Sequence, residues 1–166
     1  MRDNGRMPSL THEVRRAVAR MSRTRAFRRV GPVVMPPLER GMRLLTGGRV
    51  QLSGLLVPSL VLHTVGAKSG VPRDTTLMYC RDGAGNLLVT GSNFARSEHP
   101  AWTWNLLAHP DAAVSVRGRR IRVHARLVND DEREAVWAIL EAQWPDYRQY
   151  ERTAGRVMRI FRLARA

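Results

Sequence analysis

The chain has 166 residues, 43% of them hydrophobic, and carries 28 basic against 14 acidic side chains, a formal charge of +14. That length supports one domain with a real core and is short for two; the charge asks for an anionic counterpart, whether a phosphate-bearing cofactor, nucleic acid or an anionic membrane face. A single cysteine, Cys80, excludes an internal disulfide framework and a thiolate metal cluster, and no apolar run approaches the roughly 20 residues that span a bilayer.

Residues 1–9 (MRDNGRMPS) read as a disordered tail and residues 10–50 as a basic N-terminal helical segment. Its first helix runs through EVRRAVARMSRTRAF, capped by Ser9 or Thr11. Val14, Val18 and Met21 form its apolar stripe, and Arg15, Arg16, Arg20 and Arg23 line the remaining surface. A second helix over 37–45 is entered through Met35-Pro36-Pro37 and stopped by Gly47-Gly48. The first thirty residues hold nine arginines and no apolar stretch of secretory length. The expectation is a chain of the reducing cytoplasm, resting peripherally on the inner face of the plasma membrane through those arginines.

Beyond Gly54 the pattern changes to short strands over 60–65, 75–80 and 87–90, with DGAGN at 82–86 the clearest turn. A helix over 100–108 begins on Pro100. Strands over 114–116 and 121–128 form a hairpin around Gly118, flanked by Arg117, Arg119, Arg120 and Arg122. Asp130 or Asp131 caps a helix running to 140, a short helix follows Pro145, and VMRIFRL at 157–163 closes the sheet. No long crossover helices separate the strands, so a doubly wound sheet is excluded. The reading is a mainly β domain over 51–166, a small barrel of mostly antiparallel strands with peripheral helices. Periodicity alone leaves an oligonucleotide-binding barrel almost as good a description.

Two regions concentrate chemistry. In HTVGAKSGVPRDTTLMY, Gly66 and Gly70 bracket the only lysine of the chain, Lys68, so the other 27 basic residues are arginines. Glycine lets such a turn aim N–H groups at an anion; Lys68 adds a point charge, Ser69 a hydroxyl, and Arg73 a planar fork suited to phosphate or carboxylate. Asp74 is placed to orient one of the arginines. The turn is neither a P-loop nor a GxGxxG signature, because Val-Pro-Arg and a strand follow it. On local chemistry an anion-binding turn and a plain basic hairpin are equally good readings. The second region is TGSNFARSEHPAWTWNLLAHP, where Gly91, Ser92 and Asn93 expose polar atoms at a strand end and Asn105 lies at i+3 from Trp102. A Trp in that setting is more often a core anchor than the wall of a ligand site. The five histidines lack metal-ligand spacing, so no metal is expected; His63 and His124 read as strand residues satisfied by backbone hydrogen bonds, and Cys80 as a structural thiol.

These two stretches, together with WPDYRQYERTAGR, resemble the deazaflavin (F420)-dependent nitroreductase family over roughly residues 40–164. The resemblance implies a split β-barrel of the flavin-reductase and pyridoxamine-oxidase type, pairing as a homodimer, with coenzyme F420 as cofactor. It assigns Lys68, Ser69, Gly70 and Arg73 to the phosphate and acidic tail. Thr75, Thr76, Leu77 and Met78 become the strand beside the cofactor, and Ser92, Asn93, Ala101, Trp102 and Asn105 the surroundings of the ring. Relatives often carry lysine at the position of Asn93. Tyr147 and Tyr150 match substrate-pocket tyrosines and, with Ser92, are the candidates for substrate orientation or proton relay; helix packing at i,i+3 is the competing reading of the two tyrosines.

The implied activity is hydride transfer from C5 of reduced deazaflavin to a small activated acceptor: a quinone, an enone or a nitroaromatic. Two rival functions share the same residues. One is an arginine-rich barrel binding nucleic acid or an anionic surface, resting on RGRRIR at 117–122, although no specific nucleic-acid partner is favoured. The other is a split barrel that uses FMN.

Overall fold

A computed structural model describes residues 58–166. The expected tail, both N-terminal helices and the start of the 51–166 unit at its first seven residues lie outside that range. Seven strands and three helices follow in the order β1 (Ser59–Val65), β2 (Pro72–Met78), β3 (Cys80–Arg81), β4 (Leu87–Thr90), α1 (Ala101–Ala108), β5 (Asp111–Val116), β6 (Arg119–Leu127), α2 (Asp130–Gln143), α3 (Gln149–Ala154) and β7 (Ile160–Arg165).

The strands form one antiparallel sheet ordered β2-β1-β5-β6-β7-β4-β3. Its two edge strands, β2 and β3, are consecutive in the chain and separated only by Tyr79, so the sheet curls until its edges approach. The result is a split barrel with a seam between β2 and the β3–β4 hairpin. A five-stranded oligonucleotide-binding barrel does not describe it.

Alternation along each strand sorts the side chains to two faces. Leu60 and Leu62, Val114 and Val116, Val123 and Ala125, Leu87 and Val89, and Phe161 and Leu163 point inward with Trp102 and Leu106 of α1. Leu88 and Ile160 point the other way, into a second core made with Val136, Trp137 and Leu140 of α2, and with Trp144, Tyr147 and Met158. Helix α1 therefore plugs one end of the barrel, and α2 covers the β7–β4–β3 part of its outer face.

Local boundaries move for physical reasons. β2 starts at Pro72 and ends at Met78, because its register with β1 runs from Val65↔Pro72 to Ser59↔Met78; Cys80 belongs to a separate two-residue strand. The cap of α2 is Asn129, neither Asp130 nor Asp131: its side chain accepts from the Glu132 N–H at 3.1 Å, and the acidic residues fill the first turn, where the helix dipole favours them. The last strand begins at Ile160 because Met158 N–H turns away to the Glu151 carboxylate at 2.6 Å, while Val157 stays 66% exposed. The DGAGN turn is as expected, with Asp82 Oδ1 accepting from Ala84 and Asn86 N–H at 3.0 and 2.9 Å.

Candidate functional site

The GAKSG turn joins β1 to β2 and spends most of its backbone on itself. Gly66 N–H donates to Val71 O at 2.9 Å, Gly70 N–H to Gly66 O at 2.8 Å, and Val71 N–H to Ser69 Oγ at 3.3 Å. A Cβ at Gly66 would sit 2.5 Å from Ser69 Oγ and force that side chain to turn away; Gly70 is favoured by its φ of +65°. Ala67 N–H donates to Asn105 Oδ1 at 2.9 Å. Among the described residues nothing takes a hydrogen bond from the N–H of Lys68 or Ser69, and neither Lys68 nor Arg73 faces a carboxylate. Among the described residues this leaves two amides of the exposed turn and two cations, Lys68 on the turn and Arg73 at the start of β2, without a partner, an arrangement that could receive an anion.

Asn105 anchors that turn to the barrel. It is buried in α1, accepts from Ala67 N–H and donates through Nδ2 to Thr64 Oγ1 at 3.0 Å. Its polar atoms are committed within the protein, so it positions the turn instead of facing a ligand. Trp102, one turn earlier, is 5% exposed and packs on Phe161 with ring centroids 5.7 Å apart. It is a core anchor; Ala101 beside it is exposed.

Along β2 the period of two divides the predicted contact strand. Arg73, Thr75 and Leu77 share a face with Thr64, Leu62 and Leu60, whereas Asp74, Thr76 and Met78 share the other with His63, Val61 and Ser59. Asp74 Oδ1 lies 2.6 Å from His63 Nδ1, and His63 Nε2 lies 2.8 Å from Ser115 Oγ. His124 likewise pairs with Asp111 at 2.7 Å. Both histidines are satisfied by side chains, not by backbone.

Across the seam, the segment after β4 is held in an unusual shape. Asn93, Phe94 and Ala95 have φ of 46°, 54° and 58°, three successive left-handed residues without a glycine. Asn93 Nδ2 donates to Glu98 O at 2.9 Å, which ties the amide into its own loop. The fastening residue is Arg156, just after α3. It donates to Gly91 O, Ser92 O and Arg96 O at 3.0, 3.3 and 3.0 Å, and to His99 Nδ1 at 3.1 Å. Burial, followed by the cations Arg159 and Arg156, holds His99 below the ordinary imidazole range, consistent with Nδ1 acting as the acceptor. Arg159 stacks on Trp104 with its guanidinium 3.7 Å from the ring centroid. Sequence reasoning missed Arg156; one arginine among 27 carries no local signal.

Tyr147, Tyr150 and Ser92 lie together. Tyr147 is buried, stands edge-on to Trp137 at 6.1 Å and to Tyr150 at 5.4 Å, and contacts Ser92 through its phenol. Burial pushes the phenol above its usual range, and the hydrogen bond with Ser92 only partly offsets this. Tyr147, Trp144 and Leu140 line a shallow depression of about 180 Å³, open mouth included, with Met78 of β2 on one side of the seam, Cys80, Leu88 and Thr90 of the β3–β4 hairpin on the other, and Tyr79 between them. The enclosed space at its floor is only about 10 Å³, room for one water-sized group. Cys80 is buried there, a structural thiol as expected. Among the described residues no cluster of His, Cys, Asp and Glu can hold a metal.

The family model for F420H(2)-dependent quinone reductase matches residues 40–164. The chain belongs to that family. It is an F420-dependent reductase, an oxidoreductase that passes hydride from a deazaflavin-type cofactor to a small acceptor such as a quinone. It is similar to the F420H(2)-dependent quinone reductase Rv1261c of Mycobacterium tuberculosis, with 37% identity over 111 residues, 65% of this chain and 74% of the relative. A solved F420-H2 dependent reductase (FDR-A) superposes with a TM-score of 0.57 at 28% identity, covering 64% of this chain and 93% of its own. A second solved structure, described as a domain-swapped dimer, reaches 0.60 at 28% identity over 75% of this chain and 94% of its own.

Proposed function

We propose that the chain binds the anionic tail of F420 at the GAKSG turn and reduces a quinone at the seam between β2 and the β3–β4 hairpin. The carrying observation is the pair of free amides at Lys68 and Ser69 beside the unpaired Lys68 and Arg73. A cofactor that ends in a phosphodiester and carboxylates needs such a cradle; FMN, which has one phosphate and no acidic tail, uses less of it. When bound, the reduced deazaflavin supplies the hydride from C5.

The protein's own groups do the rest. Lys68, Arg73 and the free N–H groups of Lys68 and Ser69 hold negative charge, with Gly70 setting the turn and Asn105 tethering it. Thr75 and Leu77 on one face of β2, and Thr76 and Met78 on the other, border the seam with Ser92, Asn93 and Ala101. Trp102 fixes α1 behind them. Tyr147 stays protonated because burial opposes phenolate, so with Ser92 and Tyr150 it presents a hydroxyl donor where an acceptor oxygen gains charge. The family match to quinone reductases favours a quinone as the acceptor.

Titration with F420 and FMN, followed by oxidation of reduced F420 with a quinone, an enone and a nitroimidazole, tests this. Tighter binding of F420 and fastest turnover with the quinone are expected. Failure to bind F420, or equal turnover with FMN, overturns the assignment. The same reading makes residues 51–166 the catalytic unit of a homodimer. The nine N-terminal arginines then hold a cytoplasmic enzyme on the inner membrane face, where hydrophobic quinones reside. Flotation of the full chain with anionic but not neutral vesicles is the expected result, and equal flotation with both refutes it.

A further inference from the structure

The outer face of β2, β1 and β5 carries a constellation that the reductase chemistry leaves unused. His63 and Asp74 are direct cross-strand partners in the β1–β2 hairpin, and Ser115 lies one diagonal step away on β5, where His63 pairs with Ala113 and Val61 with Ser115. Asp74 Oδ1 stands 2.6 Å from Nδ1 of the imidazole and Ser115 Oγ stands 2.8 Å from Nε2. A carboxylate can only accept, so Nδ1 carries the proton of the neutral ring and Nε2 is left to accept from the serine hydroxyl. Nucleophile, base and orienting acid are therefore in hydrogen-bond reach in the right sequence. Three adjacent strands hold them by ladder register. His63 is only 18% exposed, Asp74 is 43% exposed and Ser115 is half-buried.

We infer that Ser115, His63 and Asp74 form a second reactive centre, an acyl-accepting serine for small activated esters. Ser115 Oγ bonds to the acyl carbon while its proton passes to His63 Nε2. The tetrahedral oxyanion then collapses, the bond to the leaving alcohol breaks, and that oxygen takes the proton from His63. Water adds by the same route in reverse, releasing the carboxylic acid and restoring the hydroxyl. Arg120, the direct cross-strand partner of Ser115 on the same face, brings a guanidinium to the developing oxyanion, its Cβ about 5 Å from that of Ser115. Arg122 lies opposite Ala113 on that face and adds a second positive charge. Substrates are small because the triad sits on a sheet face and not in a cavity, and activated because one mobile guanidinium is a weaker oxyanion site than converging amides.

The face contains its own control. His124 and Asp111 make the same histidine–carboxylate pair at 2.7 Å, and among the described residues no hydroxyl bonds to the imidazole. The centre stands on the opposite face of β1 and β2 from Leu62, Thr75 and Leu77; Thr76 and Met78 share its face, so hydride transfer is compared in the Ser115 variant, on β5, one strand removed from β2.

The test is labelling of the full chain with a fluorophosphonate, with the modified residue located by mass spectrometry, and a burst assay with p-nitrophenyl acetate. One adduct at Ser115 is expected in the parent protein, absent in Ser115→Ala and His63→Ala and unchanged in His124→Ala. Asp74→Asn is expected to slow labelling by about a hundredfold or more, since it fixes the wrong tautomer. The folding of each variant is checked by circular dichroism, and oxidation of reduced F420 by Ser115→Ala stays at the parental rate. No adduct at Ser115 in the folded parent, or equal labelling in His63→Ala, overturns the inference and leaves the three residues a structural polar network.

Discussion

Replacing Asn105 by leucine separates a tether from a ligand contact. The side chain is 7% exposed and bridges Ala67 N–H at 2.9 Å and Thr64 Oγ1 at 3.0 Å. Leucine keeps the volume and removes both partners. An orphaned buried polar group costs about 1–3 kcal/mol. Ala67 is exposed, so its N–H recovers water and contributes near the low end. Thr64 is 5% exposed, and its hydroxyl retains only Arg73 O at 3.4 Å, so it contributes more. The sum is about 2–3 kcal/mol, less roughly 1 kcal/mol regained from the added apolar burial. At about 2–4 °C per kcal/mol for a chain of this length, the melting temperature falls by about 5 °C. Urea unfolding followed by tryptophan fluorescence measures the loss, and faster hydrogen exchange at the Ala67 amide localises it. F420 affinity falls about tenfold because the cradle loosens, the equivalent of 1.4 kcal/mol. A variant as stable as the parent within about 0.5 kcal/mol, yet defective in binding F420, refutes the tether and makes Asn105 a direct ligand contact.

Three further outcomes follow from the same geometry. Lys68→Ala with Arg73→Ala weakens F420 binding by about 30–100-fold, from two charge-assisted contacts discounted for their exposure, and flattens its salt dependence; isothermal titration at two ionic strengths checks both, while stability stays within about 0.5 kcal/mol because neither side chain is paired. The raised phenol of Tyr147 stabilises the protein fully below its unfolded value of 10.0 and loses that contribution as pH rises beyond it; alkaline unfolding of Tyr147→Phe is therefore less steep above pH 10, and its quinone turnover falls without a new pH dependence between 6 and 9. Arg156→Lys keeps the charge and loses the fork, so the loop from Gly91 to His99 opens, and trypsin cuts at Arg96 at least tenfold faster than in the parent protein.

The elements of the fold were legible wherever a local pattern determines them. The apolar run in SLVLHTV, the DGAGN turn and the acidic start of α2 need only near neighbours, and among the described residues every helix and every strand except β3 lies within a few residues of its expected place. The cradle was half legible: the glycines and Lys68 mark the turn, but which amides remain free depends on Asn105, 38 residues away from Ala67. The contact strand shows the reverse failure. Thr75 to Met78 reads as one block when taken as a string, yet a period of two places consecutive residues on opposite faces, and the hairpin register sends Asp74 to His63.

Charge shows most clearly what a sequence leaves open. With 27 arginines and a formal charge of +14, sign alone distinguishes no basic residue from another. The fold distinguishes them by what stands opposite. Arg126 and Arg162 meet Glu132, Arg148 meets Glu134, and Arg133 meets Glu151, so these neutralise their own surroundings. Arg156 faces three carbonyls and a neutral imidazole, so it braces a loop. Lys68 and Arg73 face no acceptor among the described residues. A cation left unpaired beside free amides is what an anionic cofactor requires, and that vacancy, more than the net charge, is the ground for proposing the site there.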